Sequence, residues 1–124
     1  MAKPGKTGIA RLIDAFGYSQ QGFKATWQHE AAFRQETYAV CGLTPCAFFL
    51  GSTLSQIALL LATLYGVIIA ELINSAIESV VDRISDEHHE LAGRAKDQGS
   101  ALVLVAIAIT TVVWLLVAIE RLTA

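Results

Sequence analysis

Apolar and polar positions alternate in blocks along this chain, and each block predicts a different element. Residues 1–8 (Met-Ala-Lys-Pro-Gly-Lys-Thr-Gly) show no periodicity and predict irregular, disordered chain. From Ile9 to Glu36 the pattern is helical. Ile9, Leu12, Ile13 and Phe16 share one face opposite Arg11 and Asp14, and after Gly17 and Gly22 a second apolar stripe runs through Phe23, Trp27 and Ala31. This predicts an amphipathic helix over about residues 9–34, lying on a membrane surface. Between Glu36 and Glu71 there is then no charged residue across 34 positions. A single helix of that length would be about 51 Å long, well beyond the roughly 30 Å of a bilayer core. Pro45 and the Gly51-Ser52-Thr53 cluster break the run, which predicts two spans, about 37–50 and 54–77, joined by a short outer turn. A polar loop from Asp82 to Glu90, continuing to Lys96, leads to a third span at about 98–119, uncharged throughout with Trp114 near its far end.

Composition agrees with a bilayer as solvent. The chain has 124 residues, enough for one domain, with 54% hydrophobic and 16% charged residues, against roughly 45–50% and 25% for ordinary soluble domains. A small soluble domain has no room to bury such uncharged runs. Eight of the nine basic residues (Lys3, Lys6, Arg11, Lys24, Arg34, Arg83, Arg94, Lys96) fall on one side of a three-crossing chain, leaving Arg121 at the far end. The positive-inside rule makes that side cytoplasmic, with the C-terminus outside. No h-region precedes residue 37, so no cleavable signal peptide is expected. Cys41 and Cys46 match no zinc or redox spacing and read as packing residues. The net charge of −2 says little by itself, and no nucleic-acid partner is expected.

Candidate chemistry gathers at one depth. Glu71, Asn74, Glu78 and Asp82 recur at i, i+3, i+7 and i+11, on one helical face. Glu71 lies roughly 26 Å along the helix from Leu54, near the cytoplasmic interface. Ionisable residues at such positions are costly and mark functional sites; the plainer alternative is a polar seam that fastens helices together. Glu30 and Arg34 read, by themselves, as an i,i+4 surface pair. His88 and His89 are adjacent, a poor spacing for one zinc ion. Lys96-Asp97 serves equally as an interfacial anchor or as a phosphate-neutralising pair. Gly5-Lys6-Thr7 lacks the first glycine and the preceding strand of a phosphate-binding loop. The carboxylates, the cation and a base together meet the needs of phosphoryl transfer to a membrane-delivered acceptor.

The stretches Glu30-Ala31-Ala32-Phe33-Arg34-Gln35-Glu36, Glu71-Leu72-Ile73-Asn74-Ser75-Ala76-Ile77-Glu78, Val80-Val81-Asp82-Arg83-Ile84 and His89-Glu90-Leu91-Ala92-Gly93-Arg94-Ala95-Lys96-Asp97, with Gly99-Ser100-Ala101, resemble the prokaryotic diacylglycerol kinase family in unbroken register over residues 9–120. The resemblance implies an all-α homotrimer of three-span subunits, each with a surface helix, in the bacterial inner membrane. Its composite sites would take Mg²⁺ with ATP, and diacylglycerol from the bilayer. It further implies Glu71 as general base, aided by Asn74, and Glu30 and Glu78 as metal ligands. Nucleotide contacts fall on Arg11, Tyr18, Glu30, Glu78, Glu87, His88, His89, Lys96 and Asp97. Substrate contacts fall on Ser19, Lys24, Trp27, Ala32, Phe33, Arg34, Gln35, Glu36, Glu71 and Ser100. Gln20, His29 and Gln98 depart from the residues familiar at those positions. An undecaprenol kinase and a non-catalytic helical membrane protein are the competing expectations; a transporter is disfavoured by the absence of an internal repeat.

Overall fold

A computed structural model describes residues 5, 7–84 and 87–124, and these are helical with no strand among them. Ser85 and Asp86 of the polar loop, and residues 1–4 and 6 of the irregular N-terminus, lie outside the described residues. The helices are α1 (Gly8–His29), α2 (Ala31–Leu50), α3 (Leu54–Ile84) and α4 (Glu90–Thr123). The chain divides into two compact units, residues 1–31 and 32–124.

The first unit is α1, whose Ile9, Leu12, Ile13 and Phe16 form an exposed apolar stripe. The predicted surface helix reaches residue 34, but α1 stops at His29. Glu30 takes an extended backbone (φ −119°, ψ 106°) while its N–H still donates to the Thr26 carbonyl oxygen at 2.9 Å. No proline or glycine marks this break, so nothing in the local residue types signals it.

In the second unit, α2 buries Phe33, Val40 and Ala47, one residue in every seven. It passes through Pro45 without interruption. At the turn, the Gly51 N–H donates to the Ala47 carbonyl oxygen at 3.0 Å. A Cβ at residue 51 would stand 2.6 Å from Ile57 Cγ1 and 3.0 Å from the Ile57 nitrogen, so the chain passes there only without a side chain. Thr53 Oγ1 accepts from the Gln56 N–H at 3.1 Å, and Gln56 Oε1 accepts from the Ser52 N–H at 2.7 Å, which seats the start of α3.

Helices α3 and α4 pack antiparallel along their lengths. The inner stripe of α4 (Lys96, Gly99, Val103, Ala106, Thr110, Trp114, Val117) repeats at three- and four-residue steps. Trp114 Nε1 donates to the Leu60 carbonyl oxygen (3.3 Å) and Thr110 Oγ1 to that of Thr63 (2.9 Å). At the turn end, Gln56 Nε2 donates to Glu120 Oε2 at 2.7 Å and Arg121 Nη1 to Ser52 Oγ at 3.3 Å. Ala47, Leu60 and Val117 form the buried cluster.

Both α3 and α4 are long and apolar enough to cross a membrane, yet only 28% and 6% of their most apolar stretches are buried. Leu104, Leu115, Leu116 and Leu122 all face outward from α4. Such a surface is stable against lipid tails or another apolar partner rather than water. Cys41 and Cys46, expected as packing residues, are exposed and free on α2.

Candidate active site

The site grows from the acidic face of α3. Continuous helix from Leu54 to Ile84 puts Glu71, Asn74, Glu78 and Asp82 on successive turns of one side. Glu71 is 4% exposed and Asn74 8%, while Asp82 reaches the surface. Asn74 Nδ2 donates to Glu78 Oε1 at 3.4 Å, at the long end of a hydrogen bond. Asn74 Oδ1 is buried without a hydrogen-bond partner among the described residues.

Two other helices complete the face. Glu36 on α2, just before the apolar run that begins at Thr37, is hydrogen-bonded to Glu71. Burial, and then the charge of Glu71, raise the Glu36 carboxyl from the ordinary 4.5 to about 7. No donor among the described residues reaches its buried Oε2. Two carboxyl groups hydrogen-bond only when one carries a proton, so the Glu36–Glu71 pair shares one. On α4, Lys96 Nζ lies 2.7 Å from Asp82 Oδ1. This hydrogen bond and the charge of Asp82, with a smaller contribution from Glu78, raise the Lys96 ammonium above its ordinary value. The acidic stripe therefore has a basic partner, brought by a different helix.

Segment 91–96, expected as loop, is the first turns of α4. The cause is a cap: His89 Nδ1 accepts from the Leu91 N–H at 3.0 Å, and the His89 carbonyl oxygen accepts from the Gly93 N–H. That hydrogen bond places the imidazole proton on Nε2. Around this cap, Glu87, His88 and His89 meet Lys96 and Asp82 in a polar hollow of about 470 Å³. Beside it is an apolar hollow of about 410 Å³ walled by Val81, Ile84, Leu91 and Ala95. Asp97 instead turns with His88, Glu90 and Arg94 to another side of α4, so Lys96 and Asp97 do not act as a facing pair. Ser100 is exposed.

Of the remaining candidates, Phe33 is buried, Arg34 half-buried, and Ala32 and Gln35 exposed at the start of α2. Arg11, Tyr18, Ser19, Lys24, Trp27 and Glu30 belong to the first unit, where the Ser19 hydroxyl donates to the Ala15 carbonyl oxygen at 3.0 Å. No three His, Cys, Asp or Glu side chains gather as a metal cage among the described residues. Gly99 and the Glu36–Glu71 pairing were not singled out from the residues alone. A lone glycine inside a helical, apolar pattern was the available sign for the first; the second joins positions 35 residues apart and leaves no local sign.

Comparison with known proteins decides the family. The sequence profile for "Prokaryotic diacylglycerol kinase" matches residues 17–118. The chain belongs to that family. It is 50% identical over 108 residues to the diacylglycerol kinase of Haemophilus influenzae, covering 87% of this chain and 92% of that one. It is equally 50% identical over 108 residues to the Escherichia coli K12 diacylglycerol kinase, covering 88% of that relative. The Helicobacter pylori 26695 diacylglycerol kinase is 36% identical over 111 residues. The matched range takes in α2, α3, α4 as far as residue 118 and part of α1, so the family's defining stretch includes the whole acidic face.

Proposed function

We propose that this chain is an ATP-dependent diacylglycerol kinase working at the cytoplasmic face of the bacterial inner membrane. The observation that carries this reading is Glu71, a carboxyl group 4% exposed on a helix long enough to cross a bilayer, with Glu36 hydrogen-bonded to it. A buried carboxylate at the depth where a lipid hydroxyl arrives suits a general base. In the proposed step, the acceptor hydroxyl oxygen bonds to the γ-phosphorus of ATP as the bond to the β,γ-bridging oxygen breaks. The hydroxyl proton passes to Glu71, ADP leaves with the bridging oxygen, and phosphatidate is the product.

The other groups position and neutralise. Lys96, kept cationic by Asp82, faces the nucleotide phosphates, and His89 offers its Nε2–H to the adenine ring of the nucleotide because Nδ1 is taken by the cap. Glu87, His88 and Asp97, with Arg11 and Tyr18 of the first unit, complete the nucleotide contacts in this reading. No three-ligand cage gathers among the described residues, but the carboxylates of α3 offer hard oxygens, which fits Mg²⁺, an ion held by one or two carboxylates plus substrate phosphates. Glu78 and Glu30 would hold it, and it would supply charge neutralisation at the phosphates. Ser19, Lys24, Trp27, Ala32, Phe33, Arg34, Gln35 and Ser100 would line the lipid path. We place α2 as a third crossing and the active assembly as a homotrimer.

Transfer of ³²P from ATP to a panel of lipid alcohols in mixed micelles tests the reading. Label in phosphatidate is expected. Label confined to a polyprenyl phosphate would make the chain an undecaprenol kinase, and no lipid label at all would remove the enzymatic reading.

A further inference from the structure

At Gly99, α4 packs directly against Asn74 of the acidic face. A Cβ there would lie 2.2 Å from Asn74 Oδ1, 3.3 Å from Asn74 Cγ and 3.7 Å from Ile77 Cδ1. Gly99 is buried, and it lies within an uninterrupted helix with no positive φ, so its backbone is open to any residue. The requirement is one of space. At under 3.0 Å something must move, and the atom met first belongs to a buried amide with little freedom to retreat.

The position of that amide matters for the site. Asn74 Nδ2 donates to Glu78 Oε1, and Oδ1 is the end pressed toward Gly99 without a hydrogen-bond donor of its own. Burying an amide oxygen unpaired is unfavourable, and a side chain left to itself would rotate to pair it. Asn74 keeps its orientation because Gly99 leaves a recess that the amide fills. One turn before Gly99 on the same inner stripe, Lys96 reaches Asp82, so this approach of the helices also sets that ion pair.

We propose that Gly99 is a positioning residue of the phosphoryl-transfer site: its absent side chain is the seat of the Asn74 amide, and that seat aims Nδ2 at the Glu78 carboxylate. Gly99 touches neither nucleotide nor lipid in this account, and it acts through Asn74. This rests on the reading of Glu78 as the metal- and nucleotide-side carboxylate given above.

The test uses the full chain in micelles with Gly99→Ala, Asn74→Ala and the double variant, read in two independent ways. In kinetics, Gly99→Ala should lower kcat/KM for MgATP by roughly 10- to 100-fold, the scale expected for sub-ångström to ångström misplacement, and raise the Mg²⁺ requirement, while KM for the lipid stays at the parent value. A general loosening of the bundle would move both substrates together. In reversible unfolding, Gly99→Ala should lower the midpoint in the parent background, and that loss should shrink by at least about half in the Asn74→Ala background, where the obstructing amide is gone. Should Gly99→Ala alone fail to assemble, the double variant should recover assembly for the same reason. Parent-like MgATP kinetics in Gly99→Ala would overturn the proposal. So would an undiminished unfolding cost in the double variant, which would assign the collision to backbone. The unfolding cycle needs no turnover, so it reports on the Asn74–Gly99 seat even if the parent chain transferred no phosphate, an outcome that would count against the kinase reading instead.

Discussion

At the residue scale, the chemistry rests on which carboxyl of the Glu36–Glu71 pair holds the proton. Glu71 is expected to be indispensable: Glu71→Gln keeps the shape and loses the basicity, and a positioned base contributes about 10²–10⁴-fold. Turnover within twofold of the parent would remove Glu71 from the mechanism. Glu36 makes a different prediction, on stability. Its folded value of about 7 lies above the ordinary 4.5, so the folded state binds the proton more tightly. The stabilisation it confers is full below about pH 4.5, falls as pH rises through about 7, and is absent above. Unfolding midpoints measured at pH 5, 6, 7 and 8 should therefore decline for the parent and lose most of that slope in Glu36→Gln. An identical slope in both proteins would mean that Glu36 does not hold the proton.

At the element scale, the helices were legible wherever periodicity or a long uncharged run announced them, and their ends much less so. Leu54 as the start of α3 follows from the Gly51-Ser52-Thr53 cluster, and the close approach of Gly51 to Ile57 explains why the turn is there. Beyond the apolar runs, the helices extend for a physical reason. Hydropathy reports where lipid ends, whereas a helix runs on until its backbone groups find other partners. Thus α3 continues to Ile84, and α4 begins at Glu90 where His89 caps it, eight residues ahead of the apolar run. Within the site, the acidic face of α3 was readable from one helix's spacing, but the contributions of Glu36, Lys96 and Gly99 come from neighbouring helices and depend on packing. Gly51 offers the matching test of an element. Gly51→Ala puts a methyl into Ile57 and the start of α3, and the cost of overpacking is about 1–3 kcal/mol. Ile57→Ala should relieve part of it. A Gly51→Ala chain as stable as the parent in reversible unfolding would show that the turn has room to spare.

At the scale of the whole molecule, the outward apolar face of α4 bears on assembly. Leu104, Leu115 and Leu116 are exposed among the described residues, a surface that lipid or another copy would cover. In the proposed function Glu30 is a metal-side carboxylate and Glu71 the base, and phosphoryl transfer needs both at one acceptor. In a shared site these two residues come from different copies of the chain. Mixing then becomes a test: Glu30→Gln subunits and Glu71→Gln subunits, each inactive alone, should regain partial activity when co-assembled. Random mixing leaves both residues in parent form at a minority of interfaces, so recovery should stay well below the parent's turnover and peak near equal proportions. Two differently tagged variants, purified together through both tags, establish that mixed oligomers were assayed. Absence of any recovery in such material would place Glu30 and Glu71 of each site within a single chain, and the composite site would have to be abandoned.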